Sequence, residues 1–106
     1  MKRVYLCGPM SGIENFNRPA FYAEADRLRA LGYEVISPAE ICNGASTSWQ
    51  GCVRLDIAAL MTCDTLAALP CNGFSKGVML ERFNAFMIGI KIVDSAGITE
   101  KRKAAK

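Results

Sequence analysis

A chain of 106 residues with 51% hydrophobic and 22% charged side chains has ordinary globular composition and length for one domain with a real core. The net charge of +3 lies wholly between Glu100 and Lys106, where Lys101, Arg102, Lys103 and Lys106 stand against Glu100. The rest of the chain is balanced, which argues against a nucleic-acid surface, and no apolar run is long enough to cross a membrane.

There is no histidine, so serine–histidine triads and His-ligated metal sites are excluded. The five cysteines (Cys7, Cys42, Cys52, Cys63 and Cys71) form no C-x-x-C and fit no zinc spacing. Most are expected to be reduced, small hydrophobes of a cytoplasmic protein. Neither a metal nor a cofactor is expected.

Lys2 to Cys7 alternates loosely and then turns apolar, as a buried first strand does; its apolar run is too short for a signal peptide. Gly8-Pro9-Met10-Ser11-Gly12 breaks it with a glycine-bracketed loop, in the place where open α/β sheets hold ligands. Any tight turn could use the same residues. Asn17 is positioned to cap a helix with Pro19 in its first turn. Phe21, Ala25 and Leu28 make its buried stripe, with Glu24, Asp26, Arg27 and Arg29 outward, and Gly32 ends it. Tyr33 to Ser37 is a second strand, stopped by Pro38. Residues 39–48 read as a loop, with Asn43, Gly44, Ser46, Thr47 and Ser48 its markers. Trp49 either stacks on a ligand ring or anchors that loop.

Gln50 to Thr62 is expected to be the second helix, with Val53, Ile57, Leu60 and Met61 buried. Asp56 shares its face with Cys52, Val53, Ala59 and Leu60, a small and apolar setting for a carboxylate. It is either functional or paired with Arg54 or a partner chain. Asp64 to Leu69 is a third strand closed by Pro70. Asn72-Gly73-Phe74-Ser75-Lys76-Gly77 then runs into a third helix, capped by Ser75 and ending near Gly89. Its free first-turn N–H groups, with Lys76 beside them, can hold an anion. Glu81 has Gly77, Val78, Ala85 and Ile88 as helical neighbours. A carboxylate buried there has a raised pKa, whereas a surface glutamate has none. This helix is apolar nearly all round, so it needs two burial partners. The sheet is one and a second subunit the other, which predicts a homodimer or larger. Lys91 to Val93 is a fourth strand.

Alternating strands and helices give an α/β three-layer sandwich, flavodoxin-like or Rossmann-like, with a parallel sheet of about four strands in the order 2-1-3-4. Residues 1–99 form the single domain, and 100–106 a basic, frayed tail. The loops after the first three strands open on one edge, so the glycine loop, Asp56 and the Ser75–Glu81 helix start share a pocket.

Tyr5-Leu6-Cys7-Gly8-Pro9-Met10-Ser11-Gly12 resembles the N-terminal signature of a small bacterial and phage family that belongs with the nucleoside 2-deoxyribosyltransferases. Asn17 to Pro38 continues the likeness. Arg54-Leu55-Asp56 with Cys63-Asp64 resembles the middle motif, and Ser75-Lys76-Gly77 with Glu81 the catalytic one. The resemblance implies cleavage of an N-glycosidic bond of a 2-deoxynucleoside, with Glu81 attacking the anomeric carbon and Asp56 handling the sugar or leaving base. It implies that Tyr5 and Gly8, with Pro9, Met10, Ser11, Ser75, Lys76 and Gly77, line the substrate pocket. The small-molecule partner is then a nucleotide or nucleoside. The transferases carry an aspartate where Ser75 stands. A serine there is similar to the deoxynucleoside 5′-monophosphate N-glycosidases, where it helps to bind phosphate. Pro9 replaces another phosphate-binding serine of that group, with Ser11 the nearest hydroxyl. A nucleotide-binding module without turnover, or an interaction protein that keeps only the fold, are the alternatives.

Overall fold

The computed structural model describes residues 1–42 and 48–103, so most of the expected loop markers, Asn43 to Thr47, lie outside the described residues. Four parallel strands form one sheet: β1 (Arg3–Cys7), β2 (Glu34–Ile36), β3 (Thr65–Ala68) and β4 (Lys91–Asp94), in the order β2-β1-β3-β4. Val4 pairs with Val35 on one side and Thr65 on the other, which centres β1 in the sheet. The helices between are α1 (Arg18–Ala30), α2 (Pro38–Ile41), α3 (Trp49–Leu60) and α4 (Lys76–Met87). This is the α/β sandwich that the sequence predicts, in the same strand order.

The two-residue period of β1 divides the core. Val4 and Leu6 point to one face, packing with Phe21, Ala25 and Leu28 of α1. Tyr5 and Cys7 point to the other, packing with Leu60, Leu66 and Ala85. Arg3, Tyr5 and Cys7 therefore share the face toward α3 and α4, with Arg3 at its edge donating to Thr62 and Tyr5 and Cys7 in the core. Gly8 follows where the chain passes close to its neighbours: a Cβ there would lie 2.9 Å from Leu69 Cβ and 3.2 Å from Phe21 Cζ. Gly32 takes φ +96° just after α1, the left-handed conformation that a helix-ending glycine supplies.

Several expectations need correcting. The segment after β2 is not all loop, because Pro38 starts α2 at a favoured first helical position. Cys42 at the end of α2 is joined to Cys52 in α3 by a disulfide, an exception among thiols expected to be mostly reduced. Cys7, Cys63 and Cys71 are free, the first two buried. Met61 is exposed, beyond the end of α3. Glu24 and Arg27 do not simply face out: Glu24 accepts from Arg27 and Ser95, while Arg27 donates to the Ile98 and Ser95 carbonyls at 2.6 and 2.8 Å. The tail is tethered at its start, where Tyr33 Oη donates to the Glu100 carbonyl and Arg102 N–H to Leu31 O. Residues 104–106 lie outside the described residues. Among the described residues no helix is long and apolar enough to cross a membrane.

Candidate active site

The carboxyl ends of the strands surround a cavity of about 460 Å3. Its wall takes Gly8, Met10 and Ser11 from the loop after β1, and Phe16 and Arg18 from the turn into α1. Pro38, Ala39 and Cys42 of the α2 segment close one side. Trp49, Val53 and Asp56 come from α3, and Ser75, Gly77 and Glu81 from the start of α4.

Ser75 caps α4 as expected, its Oγ accepting from Val78 N–H at 3.4 Å, and Ser48 caps α3 by accepting from Gly51 N–H at 2.9 Å. Those caps fix where each helix starts and so which turn meets the cavity. Glu81 then falls on the inner face, only 6% exposed. Its Oε2 accepts a 2.9 Å hydrogen bond from Tyr5 Oη. Burial pushes the Glu81 carboxyl up to about 8; the Tyr5 hydroxyl and the Cys7 thiol ease its charge, and the Asp56 charge opposes it. Both hydroxyl and thiol are themselves held protonated by burial, with Glu81 adding to the effect.

Asp56 is also buried, and its Oδ1 has no hydrogen-bond partner among the described residues. Desolvation raises it to about 6. The expected alternative of pairing with Arg54 does not occur: none of the ion pairs among the described residues includes Asp56.

Of the expected pocket residues, Gly8, Met10, Ser11, Ser75 and Gly77 lie on the wall beside Glu81 and Asp56, while Tyr5, Pro9 and Lys76 stand off it. Tyr5 is fully buried behind Glu81, because its position in the β1 alternation points it under α4. Pro9 offers its carbonyl to Asn17 Nδ2 at 3.0 Å, so Asn17 straps the glycine loop and does not cap α1 with its side chain. Lys76 Nζ sits 4.4 Å from the centroid of the Trp49 ring, a cation–π contact that draws it to the rim.

Sequence reasoning missed Phe16, Arg18 and the Cys42–Cys52 bridge. Asn15, Phe16 and Asn17 have φ of 52°, 52° and 59°, three successive residues in the left-handed region. Such conformations cost of order 1–3 kcal/mol each and cluster at functional sites. They turn the chain so that Arg18 reaches the cavity, with its guanidinium carbon 5.1 Å from the Phe16 centroid. Nothing in Asn17-Arg18-Pro19 signals this, since the same residues suit an ordinary helix start.

Fold and cavity together define the class: the chain has the α/β fold of the nucleoside 2-deoxyribosyltransferase-like superfamily. Three solved structures carry that statement. A conserved protein from Enterococcus faecalis V583 superposes with a TM-score of 0.69 at 24% identity, over 89% of this chain and 62% of that one. A 2-deoxyribosyltransferase from Bacillus psychrosaccharolyticus gives 0.61 at 18%, over 85% and 69%. The CMP N-glycosidase BcmB of Clostridium botulinum gives 0.60 at 27%, over 86% and 66%. The chain thus spans about two thirds of the length of these proteins. No curated protein matches it. Within that class, the chain belongs to the family described as "Domain of unknown function (DUF4406)", which it matches over residues 2–94.

Proposed function

We propose that this chain cleaves the N-glycosidic bond of a 2′-deoxynucleoside or its 5′-monophosphate, as a single domain of residues 1–99. The observation that carries this is Glu81, a carboxyl sheltered at the wall of a cavity and gripped from behind by Tyr5. The named activities of the Bacillus and Clostridium proteins support an enzyme of this kind.

The chemistry follows that of retaining glycosidases. An ionised Glu81 oxygen bonds to C1′ as the C1′–N bond breaks. The bonding pair leaves with the base nitrogen, which takes a proton from Asp56. Water then adds at C1′, gives a proton back to Asp56 and releases the Glu81 carboxylate. A second base in place of water makes the reaction a transfer. Glu81 itself is sheltered from bulk water, so its charge is worth more beside the oxocarbenium-like centre than it would be in solvent.

One observation favours a second reading, a binding module without turnover. With its carboxyl at about 8, Glu81 is mostly protonated at neutral pH and suited to donate a hydrogen bond to a ribose hydroxyl. Incubating the protein with deoxynucleosides and their monophosphates, and looking for free base by chromatography, separates the two. Base release abolished by Glu81→Ala supports the enzyme. Saturable binding without release at high protein concentration rejects it.

A further inference from the structure

The cavity wall carries one cationic side chain among the described residues, Arg18. Its Nε is buried and has no hydrogen-bond partner, and no ion pair among the described residues includes it. A guanidinium nitrogen shut away from water with nothing to donate to is costly, and native structures seldom leave one so. The Phe16 ring beside it restrains the plane of the guanidinium. The backbone that delivers it is also unusual: three left-handed residues, tied to the glycine loop through Asn17 and Pro9, end at Arg18. An arginine meant only for solubility needs none of this.

We infer that Arg18 is the anion receptor of the cavity and takes the 5′-phosphate of a deoxynucleoside monophosphate, which makes the monophosphate rather than the free nucleoside the preferred ligand. The inference deepens the N-glycosidase reading and rests on it for the identity of the sugar and base. The planar fork of a guanidinium matches two phosphate oxygens at once, which an ammonium cannot do. Lys76, the cation that the sequence offers for this task, is engaged at the Trp49 ring and stands off the wall. The Ser11 and Ser75 hydroxyls lie on the same wall and supply neutral donors beside the charge.

The test is calorimetric titration at fixed pH and salt with four probes: a deoxynucleoside monophosphate, its nucleoside, 2-deoxyribose 5-phosphate and inorganic phosphate. The protein is compared as wild type, Arg18→Gln and Arg18→Lys, each first checked for an unchanged melting transition. Arg18→Gln is expected to weaken the two sugar phosphates roughly 10- to 100-fold, the strength of charge-assisted hydrogen bonds, and the nucleoside little. Arg18→Lys keeps the charge and should recover part of the loss, so the comparison survives if the glutamine variant unfolds. Inorganic phosphate should bind more weakly than 2-deoxyribose 5-phosphate, because it lacks the sugar that the cavity also holds. Equal losses for nucleoside and monophosphate overturn the inference, as does wild type that binds no phosphorylated probe. A selective loss of monophosphate in Lys76→Gln but not in Arg18→Gln also overturns it. Arg18-dependent binding of 2-deoxyribose 5-phosphate without base release from any substrate upholds the anion site and rejects the glycosidase. Base release indifferent to Arg18 does the reverse.

Discussion

Tyr5→Phe isolates the hydrogen bond that the proposed nucleophile depends on. The ring remains and keeps its place in the core, while the 2.9 Å bond to Glu81 Oε2 is lost. A hydrogen bond to a charged group contributes about 1.5–3 kcal/mol. At about 1.4 kcal/mol per pH unit, its loss raises the Glu81 carboxyl by about one to two units above its place near 8. In wild type the Asp56–Glu81 pair titrates near 6 and 8, so the proposed reaction gives a bell-shaped kcat/KM with limbs at those values. The form with Glu81 ionised and Asp56 protonated is the minor one, outnumbered about a hundredfold by its tautomer, since the two values lie about two units apart. Tyr5→Phe should therefore move the alkaline limb to about 9–10 and lower the plateau about 10- to 100-fold together. The assay is base release by chromatography from pH 5 to 10.5. A lowered plateau with the alkaline limb still near 8 would refute the reasoning, because Tyr5 would then act on something other than the Glu81 charge.

The same burial has a cost in stability. The Glu81 carboxyl titrates near 8 when folded against an ordinary 4.5, so folding is unpenalised below pH 4.5 and loses stability as pH rises to 8. The full difference is of order 5 kcal/mol, and Glu81→Gln should raise the melting temperature at pH 8 and flatten its fall with pH. A wild-type melting temperature that rises from pH 5 to 9 would count against it. Asp56→Asn should slow base release at least tenfold with the fold intact by circular dichroism, from loss of an acid worth a factor of 10² or more; a collapsed transition would make Asp56 structural. Reduction of the Cys42–Cys52 bridge, whose partners are 10 residues apart, should lower stability by about 2.7 kcal/mol by loop-closure entropy, read from urea midpoints with and without reductant. Phe83 and Phe86 on α4 are 61% and 74% exposed, with Met79 and Met87 beside them. A second copy covering this face predicts a dimer by light scattering that Phe86→Glu dissociates, and a wild-type monomer would reject it.

The fold was legible because its punctuation is local. Gly32, Pro38 and Pro70 end elements through their own backbone restrictions, and the Ser75 cap depends only on residues three apart. The site was legible where helical spacing decides it, which is why Asp56 and Glu81 stood out. It was illegible where two segments distant in sequence determine each other. Tyr5 could be named as a pocket residue but not put behind Glu81, since that requires knowing which face of β1 meets α4. The Cys42–Cys52 pair depends on α2, a single turn that local composition makes look like loop. Arg18 depends on three positive φ values, at residues of which only the asparagines adopt them readily.

Three buried polar atoms lack a hydrogen-bond partner among the described residues: Arg18 Nε, Asp56 Oδ1 and Ser37 Oγ. Their distribution is the argument for function that no single one makes. Arg18 and Asp56 lie on the cavity wall, and Ser37 immediately precedes Pro38 and Ala39, which lie there too. Arg18 starts α1, Ser37 lies between β2 and α2, and Asp56 is within α3, so no one local distortion accounts for them. A folding defect would scatter such groups through the core. Here the buried hydroxyls of Thr65 and Ser95 are both hydrogen-bonded, whereas Arg18 and Asp56, which carry two of the three unmet atoms, line the hollow that Glu81 also lines. On the proposed reading these unmet groups await a ligand, and the Arg18 cation and the Asp56 acid on one wall with Glu81 suit one that is anionic at one end and polar at the other.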